Sequence, residues 1–400
     1  MTILAINGGR PAREAPMPTW PEFDNSEIGV AGEVLASGRV NYWTGIHGRA
    51  FEREFAAATG TEYAVALSNG TVALELALRS IGVGPGDEVV VPAATFIATA
   101  GAVVHCGARP VIADLDLRTQ CLTVETVKPV MTDRTRAIVV VHLGGHPAEI
   151  LPLVRFARKR GIRLVEDCAQ AHGARYFGRP VGGFGDIAAW SFCQDKIITT
   201  AGEGGAVTTS DEDLWRRCWE MKDHGKNVST LRPGGRPGFQ WVHDTFGTNG
   251  RMTEIQAAVG RLQLAKLETW VKQRQANAGI LLEALRESPA IRVEDPPAHV
   301  EHAYYRFYGH LRPERLRPGW NRDRVIAAIV AEGVPCSYGG CAEIYREKAF
   351  QALTGIPTTL PVAAELGRTS LTLPVHPGLT GADMQHVALA VAKVLKAATP

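Results

Sequence analysis

Short apolar runs rich in valine and isoleucine alternate with segments of helical periodicity through the first half of the chain. Residues 88–91, 110–113, 137–143 and 162–166 are such runs. Continuous β-branched runs separated by helices are typical of a parallel sheet that helices cover on both faces. The pattern therefore predicts an α/β fold with a mostly parallel sheet, whose ligands bind at the carboxyl ends of the strands.

The periodicity changes near residue 253. Thr253 begins a capping box, and Ile255 and Val259 begin the apolar face of a long helix, expected at about 253–287. Beyond it, alternating strand and helix patterns predict a small α+β domain. Its expected strands are 304–311, 334–338 and 371–375, and its expected helices are 322–332 and 382–395.

These patterns divide the chain into three parts. Prolines recur before residue 22 and exclude a long helix there, so the chain should open with an irregular arm. The expected parts are an N-terminal arm at 1–25, a large domain at 26–270 and a small C-terminal domain at 271–400, with the long helix as the link.

Composition and charge exclude several classes of protein. The chain is 45% hydrophobic and 21% charged, which is ordinary for globular domains. Its 400 residues exceed the usual size of a single hydrophobic core. The 43 lysine and arginine residues nearly balance the 41 acidic residues, so no nucleic acid or membrane partner is expected. No signal-like segment and no apolar run of membrane-spanning length occurs, which predicts a cytoplasmic protein. Seven scattered cysteines without a C-x-x-C pair predict reduced thiols rather than disulfides or a metal site.

The segment from residue 191 to 205, S-F-C-Q-D-K-I-I-T-T-A-G-E-G-G, places Lys196 just past the end of a predicted buried strand. Burial disfavours the charged form of lysine and lowers its pKa, and an amine activated in this way can form a Schiff base with a carbonyl. The alternative is a surface lysine in a loop, which is the usual environment of lysine. The residues predicted to lie near Lys196 distinguish a reactive lysine from a surface lysine.

A candidate anion site precedes it in the chain. Gly70 and Thr71 open a predicted helix for which Ser68 or Asn69 is the N-cap. A helix start with glycine and hydroxyl groups presents free N–H donors and the positive end of the helix dipole, which suits a phosphate. An ordinary capped helix is the competing interpretation.

A candidate carboxylate lies at the predicted crevice of the sheet. Asp167 ends the strand that begins at residue 162, and Gln170 and His172 follow it directly. Asp167 either caps the next turn or faces a ligand at the carboxyl end of its strand. Lys196, Asp167, Ser191 and the helix start together supply what pyridoxal phosphate needs: an amine for the aldehyde, a carboxylate for the pyridine nitrogen, and N–H and hydroxyl donors for the phosphate.

At these residues the chain resembles the DegT/DnrJ/EryC1/StrS family of aminotransferases, which belongs to fold type I of the pyridoxal-phosphate enzymes. The resemblance runs from N-G-G-R-P at Asn7 to L-P-V-H-P at Leu373. Its most specific motifs are S-N-G-T-V-A-L, V-E-D-C-A-Q-A-H-G, S-F-C-Q-D-K with G-E-G-G, and T-N-G-R-M-T-E-I-Q-A-A. It implies a large domain with a mostly parallel sheet covered by helices and a small C-terminal α+β domain.

The resemblance also implies pyridoxal 5'-phosphate as cofactor and a role for each matching residue. Lys196 would hold the cofactor and move the proton between it and the substrate carbon, and Asp167 would bind the pyridine nitrogen. Gln170 would approach the ring hydroxyl, and Phe96 would lie against the ring face. The implied phosphate ligands are Gly70, Thr71, Ser191 and, from a second copy of the chain, Asn249. The implied assembly is a homodimer with shared active sites. Gly250 departs from the bulkier residue that similar sequences often carry beside that asparagine.

Transamination is the implied reaction because family members that dehydrate sugars carry histidine where this chain has Lys196. L-Glu or L-Gln would donate the amino group, and a keto-sugar, linked to a nucleotide and used in polysaccharide or glycoside assembly, would accept it. Similar sequences also act on cyclitol ketones such as an inosose or serve as aminohydroxybenzoate-type synthases, so these alternatives stay open. A non-catalytic regulatory protein that binds the cofactor is disfavoured by the intact Lys196 and Asp167. A nicotinamide oxidoreductase is disfavoured because the glycines before residue 205 lead into a strand, not a helix.

The candidate substrate contacts are fewer than the candidate cofactor ligands, and the sequence signals for them are weaker. They are His172, His224, His243 and Tyr338. A lone histidine is more often structural or solvent-facing than functional. His224 and His243 flank a glycine- and proline-rich loop, 227–238, that could cover a site.

Overall fold

The computed structural model describes residues 3–230 and 242–400, so positions 231–238 of the loop expected to cover a site lie outside the described residues. The strands are β1 (Tyr63–Leu67), β2 (Glu88–Pro92), β3 (Arg109–Ala113), β4 (Thr135–Val141), β5 (Arg163–Asp167), β6 (Arg175–Tyr176), β7 (Arg179–Pro180), β8 (Ile187–Ser191), β9 (Gly205–Thr209), β10 (Ile291–Arg292), β11 (Val300–Glu301), β12 (Phe307–Leu311) and β13 (Ser370–Leu373). The helices are α1 (Asn25–Ser37), α2 (His47–Thr59), α3 (Gly70–Ser80), α4 (Ala98–His105), α5 (Val124–Val127), α6 (Ile150–Lys159), α7 (Glu212–Lys222), α8 (Glu254–Leu285), α9 (Arg322–Ala331), α10 (Pro361–Thr369) and α11 (Gly381–Ala398).

The buried β-branched runs form one central sheet. Within the described residues it has seven strands in the order β1-β9-β8-β5-β4-β2-β3. The pairs β8–β5, β5–β4, β4–β2 and β2–β3 are parallel, and β9 is antiparallel to both of its neighbours. The predicted α/β class and mostly parallel sheet are confirmed, and β9 is the strand that departs from the parallel pattern.

The sheet brings the predicted site residues at the ends of β5 and β8 to one edge. β5 ends at Asp167 and β8 ends at Ser191, and the two strands pair in parallel with Asp167 opposite Ala189. Because parallel neighbours end on the same side, the residues that follow both strands share one crevice.

Two hydrophobic clusters divide the interior. One is built on the central sheet, and the other lies on β10, β12 and β13 with helices α9 and α11. Helix α8 starts at a capping box on Thr253 and links the two clusters, close to the expected 253–287. Ile344 and Leu366 lie in the connection between β12 and β13, yet they belong to the first cluster. The hydrophobic contacts of that cluster therefore extend beyond the expected boundary near residue 270.

Two strand predictions in the small domain need correction. The strand expected at 304–311 begins at Phe307, because Tyr304 has a φ of 48°, which interrupts extended backbone. The strand expected at 334–338 is reduced to a single bridge between Ser337 and Thr372. The sequence at 334–338 is apolar enough for a strand, but only one of its residues reaches a partner.

The N-terminal arm is irregular, as its prolines predict, and is tied to other parts of the fold. The amides of Ala5 and Ala12 donate hydrogen bonds of 2.9 and 2.8 Å to the Glu332 carboxylate at the end of α9. Further along, the Trp20 indole reaches the backbone of Lys196. Among the described residues, no helix is both long enough and apolar enough to cross a membrane.

Candidate active site

A cavity of about 1120 Å³ opens at the carboxyl ends of β5 and β8. Eight residues singled out in the sequence line it: Gly70, Thr71, Phe96, Asp167, Gln170, Ser191, Lys196 and Tyr338. They come from four stretches of the large domain and one of the small domain. Their convergence on one cavity is the main structural finding about the site.

The N-terminus of α3 forms one wall of this cavity. The Asn69 side chain caps the helix by accepting from the Val72 amide at 2.9 Å, and the first N–H groups of a helix have no acceptor within it. Gly70 lies so close to Ser191 that a Cβ added to it would be 2.6 Å from the Ser191 Cβ. Glycine is therefore required for the helix start and the Ser191 hydroxyl to face the same small volume.

Asp167 is buried at the base of the cavity. Its Oδ2 accepts from the Thr99 hydroxyl at 2.8 Å, and its Oδ1 accepts from the Ala169 amide at 3.1 Å. Burial raises the pKa of the Asp167 carboxyl above its ordinary value, although these donors favour its ionised form. A buried carboxylate of this kind gains stability from a cationic partner, such as a protonated ring nitrogen.

Lys196 lies in the connection between β8 and β9, and its side chain is 15% exposed. Its Nζ is 3.6 Å from Asp195 Oδ1 and 4.9 Å from the centre of the Tyr305 ring. Burial lowers the pKa of the Lys196 amine, but Tyr305 and Asp195 raise it more, so the net pKa lies above its ordinary value. The lowered pKa expected for Lys196 from burial alone is therefore wrong, since the nearby groups outweigh desolvation.

Gln170 and Phe96 occupy the remaining walls. The Gln170 side-chain oxygen accepts from the Gly144 amide at 2.7 Å, which fixes its orientation at the cavity. Phe96 lines the cavity and is 68% exposed, an unusual environment for an apolar ring. Such a ring gains buried area when a planar ligand lies against it.

These residues fit pyridoxal 5'-phosphate. The helix start with Ser191 offers donors for a phosphate, and the buried Asp167 offers a negative charge for a ring nitrogen. The Lys196 amine faces the same cavity. Each of the three chemical parts of the cofactor thus has a complementary group.

His172 is not at the cavity, which corrects its prediction as a substrate contact. Its side chain is completely buried, and its ring centre lies 5.4 Å from that of Trp190 and 5.5 Å from that of Phe192. Burial, with the charges of Lys196 and Arg274, lowers the pKa of His172 to about 3. It is a neutral core residue beneath the site.

The other predicted substrate contacts divide into two groups. His224 and His243 are exposed and do not line the cavity of this chain. Tyr338 does line it and is 59% exposed, and the Arg322 guanidinium lies 5.7 Å from its ring centre. Of the four candidates, Tyr338 alone lies where a ligand of this cavity would meet it.

Asn249 is exposed and does not line the cavity of its own chain. It bridges to Asp223, and the Gly250 carbonyl accepts from the Ser68 amide at 2.8 Å, so the segment is fixed against the end of β1. A Cβ on Gly250 would be 3.1 Å from Val72 Cγ1. The absence of a side chain at this position therefore suits close packing against α3.

Several residues of the site escaped sequence reasoning. Thr99 was detectable in principle, because Thr95 and Thr99 are four apart, a spacing that places two side chains on one face of a helix. In the structure their hydroxyls lie 2.7 Å from each other. Asp195 stood directly before Lys196 in the quoted motif. Tyr305 and Arg306 gave no signal, since they lie in a segment whose pattern predicted an ordinary strand.

Comparison with known proteins gives consistent results. The sequence profile of the DegT/DnrJ/EryC1/StrS aminotransferase family matches residues 21–392. An aminotransferase structure from Psychrobacter cryohalolentis is 44% identical, with a TM-score of 0.93 over 96% of this chain and 100% of that one. L-glutamine:2-deoxy-scyllo-inosose aminotransferase of Micromonospora echinospora is 36% identical over 98% of both chains. UDP-N-acetyl-3-dehydro-alpha-D-glucosamine 3-aminotransferase of Acidithiobacillus ferrooxidans is 36% identical over 91% of this chain and 92% of its own.

Proposed function

The chain belongs to the DegT/DnrJ/EryC1/StrS aminotransferase family and is a pyridoxal-phosphate-dependent transaminase of fold type I, and on this premise we propose that its acceptor is a nucleotide-linked keto-sugar. L-Glu or L-Gln would supply the amino group. The product would be an amino sugar for polysaccharide or glycoside assembly. The observation that carries the amino-transfer chemistry is that Lys196 and Asp167 face one cavity.

Each of these residues would act at a particular atom. Lys196 Nζ would hold the cofactor and, once free of it, would take and return the proton at the reacting carbon. Asp167 would balance a positive charge on the ring nitrogen, and Thr99 orients that carboxylate. The cofactor, when bound, would supply the electron sink that stabilises negative charge at the substrate carbon. The start of α3 and Ser191 would bind its phosphate.

The size of the cavity supports an acceptor larger than one ring. Its volume of about 1120 Å³ exceeds what cofactor binding alone requires, and pockets for small molecules are usually about 300–1,000 Å³. A second cavity of about 650 Å³ adjoins it and shares Phe96 and the segment from Tyr338 to Cys341. Arg322 lines this extension, as a diphosphate would require. The relative that acts on a UDP-linked sugar agrees with this proposal.

A cyclitol ketone is the second candidate acceptor. The specific support is the inosose aminotransferase that matches nearly the whole of this chain. A single cyclitol ring would leave the adjoining cavity empty. The two acceptors therefore differ in whether residues of that cavity, such as Arg322, affect turnover.

The cofactor assignment can be tested without knowing the acceptor. The purified protein should be yellow, and borohydride reduction should fix the cofactor on the peptide that contains Lys196. Lys196→Ala should lose this labelling, whereas Lys159→Ala, an exposed lysine on α6, should retain it. Retention of labelling elsewhere in Lys196→Ala would contradict the assignment.

The acceptor can be tested with a panel of keto-sugar nucleotides and inososes. Enzyme first converted to its pyridoxamine form with L-Glu or L-Gln should return to the pyridoxal form when the correct ketone is added. The proposal expects this return with a keto-sugar nucleotide. Turnover of an inosose alone would establish the second candidate instead.

Asn249 is part of the same proposal. Its position outside its own cavity supports a homodimer in which it reaches the phosphate of the cofactor bound to the other copy. A two-fold arrangement would place two such contacts in one dimer.

A further inference from the structure

Asp195, Tyr305 and Arg306 form a small cluster of polar groups beside the Lys196 amine. Asp195 Oδ1 lies 3.6 Å from Lys196 Nζ. Asp195 Oδ2 accepts from the Tyr305 hydroxyl and, at 3.3 Å, from the Arg306 guanidinium. The same guanidinium donates to the Tyr305 hydroxyl oxygen at 3.3 Å. Asp195 therefore uses one oxygen for Lys196 and the other for the residues that fix it.

The partners of Asp195 are themselves held by the fold. Tyr305 is buried, and its backbone carbonyl accepts from the Arg274 guanidinium of α8 at 3.3 Å. Arg274 also donates to the carbonyl of Tyr304 at 3.3 Å. Helix α8 thus fixes the backbone at Tyr304 and Tyr305, and the Tyr305 hydroxyl in turn holds the Asp195 carboxylate.

A purely stabilising role does not account for this arrangement. The side chains of Asp195 and Arg306 are 49% and 39% exposed, and ion pairs with such exposure contribute little to stability. Lys196 is largely buried, and among the described residues Asp195 is its salt-bridge partner. Solvent therefore screens the attraction of Asp195 for the Lys196 amine less than its attraction for the more exposed Arg306 guanidinium.

Other groups also act on the Lys196 amine, and some favour its protonated form whereas others oppose it. The charged or titratable groups that face it or interact with it electrostatically are Asp195, Asp167, Tyr305, Tyr308, Cys193, Arg306 and His172. Asp167 already has two hydrogen-bond donors, and Arg306 opposes a positive charge on the amine. Asp195 combines a negative charge with close approach and with fixation by Tyr305.

We propose that Asp195 is a positioning residue that holds the protonated Lys196 amine during the part of the reaction in which that amine is not bonded to the cofactor. The inference rests on the proposed function, since only a transaminase cycle releases the lysine between its two half-reactions. The Asp195 carboxylate and the Tyr305 ring face both stabilise an ammonium group, the first by charge and the second by its π-electrons. The freed amine is thereby kept beside the reacting centre and made a stronger base.

The test reads the amine directly in the cofactor-free protein. Lys196 acetylation by limiting acetic anhydride is measured by mass spectrometry across a pH series, because only the unprotonated amine reacts. In Asp195→Asn the midpoint of labelling should move to lower pH, since the charge that favours the ammonium is removed. Glu203→Gln is the matched control, because Glu203 lines the same cavity but contacts the Cys193 thiol. Its midpoint should equal that of the wild type.

Tyr305→Phe provides a second variant, which keeps Asp195 but removes the hydroxyl that fixes it. The labelling midpoint of Tyr305→Phe should move to lower pH by less than that of Asp195→Asn. If Asp195→Asn does not fold, the shift in Tyr305→Phe tests the proposal by itself. Unchanged midpoints in the folded variants would overturn the proposal. This result would leave the transaminase assignment intact, because that assignment is read from borohydride fixation and acceptor turnover.

Discussion

The indole Nε1 of Trp20 donates a hydrogen bond of 2.9 Å to the backbone carbonyl of Lys196. The indole itself is held in place, since Trp270 packs edge-on at 5.0 Å between ring centres and the Arg274 guanidinium lies 5.1 Å from its ring. The N-terminal arm therefore fixes the backbone of the residue that bears the reactive amine.

Trp20→Phe should reduce turnover while the protein remains folded. The substitution keeps an aromatic ring but removes one hydrogen bond worth about 1 kcal/mol, so kcat should fall about fivefold. Steady-state kinetics and thermal unfolding measure the two effects separately. Trp270→Phe is the control, because Trp270 contacts Trp20 but not Lys196, and an equal loss in both variants would argue against a specific role for the hydrogen bond.

Gly70→Ala should weaken cofactor binding. The added Cβ would be 2.6 Å from the Ser191 Cβ, so the start of α3 or the end of β8 has to move. Overpacking of this kind costs about 1–3 kcal/mol, which corresponds to an increase in cofactor Kd of about fivefold to about 150-fold. Gly101→Ala in α4 is the control, since nothing lies within 4 Å of its added Cβ. Unchanged cofactor affinity in Gly70→Ala, measured by fluorescence titration, would contradict the phosphate site.

Phe96→Ala should also weaken cofactor binding, but less. An aromatic contact against a planar ring contributes about 1 kcal/mol, so Kd should rise about fivefold. Phe177→Ala is matched in exposure, at 61% against 68%, and lies outside the cavity. The same fluorescence titration should find its Kd unchanged, and an equal effect in both variants would remove Phe96 from the site.

Asp167→Asn should stabilise the cofactor-free protein at neutral pH. The pKa of Asp167 is raised by burial, so the folded state binds its proton more tightly than the unfolded state. This contribution to stability is present below the unfolded pKa of about 4 and is lost as the pH rises through the folded pKa. Asn does not ionise, so the variant does not lose this stability at neutral pH. The thermal midpoint of the variant should therefore exceed that of the wild type at pH 7, and the difference should shrink as the pH falls.

The same variant should gain less stability than the wild type when pyridoxal phosphate is added, because the charge partner of the ring nitrogen is gone. A thermal-shift series with and without cofactor measures both effects. A midpoint difference that does not change with pH would contradict the buried, ionised Asp167.

Co-expression of Lys196→Ala and Asn249→Ala chains should restore activity that neither variant has alone. If Asn249 acts across a dimer, a mixed dimer contains one site with both residues intact, so the purified mixed dimer should have about half of the wild-type sites and the unpurified random mixture about a quarter. Activity per mole after tandem-tag purification of the mixed species measures this. No rescue in a verified mixed dimer would mean that Asn249 acts within its own chain or not at all.

Much of the large domain could be predicted because local and global signals agree there. Buried strands such as β2 and β4 contain unbroken apolar runs, and the cap of α3 and the capping box of α8 were visible in the residues themselves. The cavity-lining positions of Asp167, Ser191 and Lys196 followed from their places at strand ends. The direction of β9 was not predictable, since a short strand pattern carries no information on parallel or antiparallel pairing.

The errors have physical reasons that lie outside any local pattern. His172 follows the same strand end as Gln170, yet its side chain turns into the aromatic core. The pKa of Lys196 depends on Tyr305, which is more than a hundred residues away in sequence and meets it only in the folded protein. Long-range contacts of this kind determine the electrostatics of the site, whereas the sequence motif determines its covalent chemistry.

Ser191 and Gly205 face each other in the β8–β9 ladder, and a Cβ on Gly205 would be 2.3 Å from the Asn69 carbonyl oxygen. Both ends of the lysine-bearing connection are thus fastened to the sheet and to the start of α3. Insertions or deletions between them would displace the amine relative to the phosphate site. The segment from Tyr338 to Cys341, by contrast, lies outside the regular strands and lines both this cavity and the adjoining one. Attempts to redesign acceptor preference should therefore vary the length of that segment and leave the length of the β8–β9 connection unaltered.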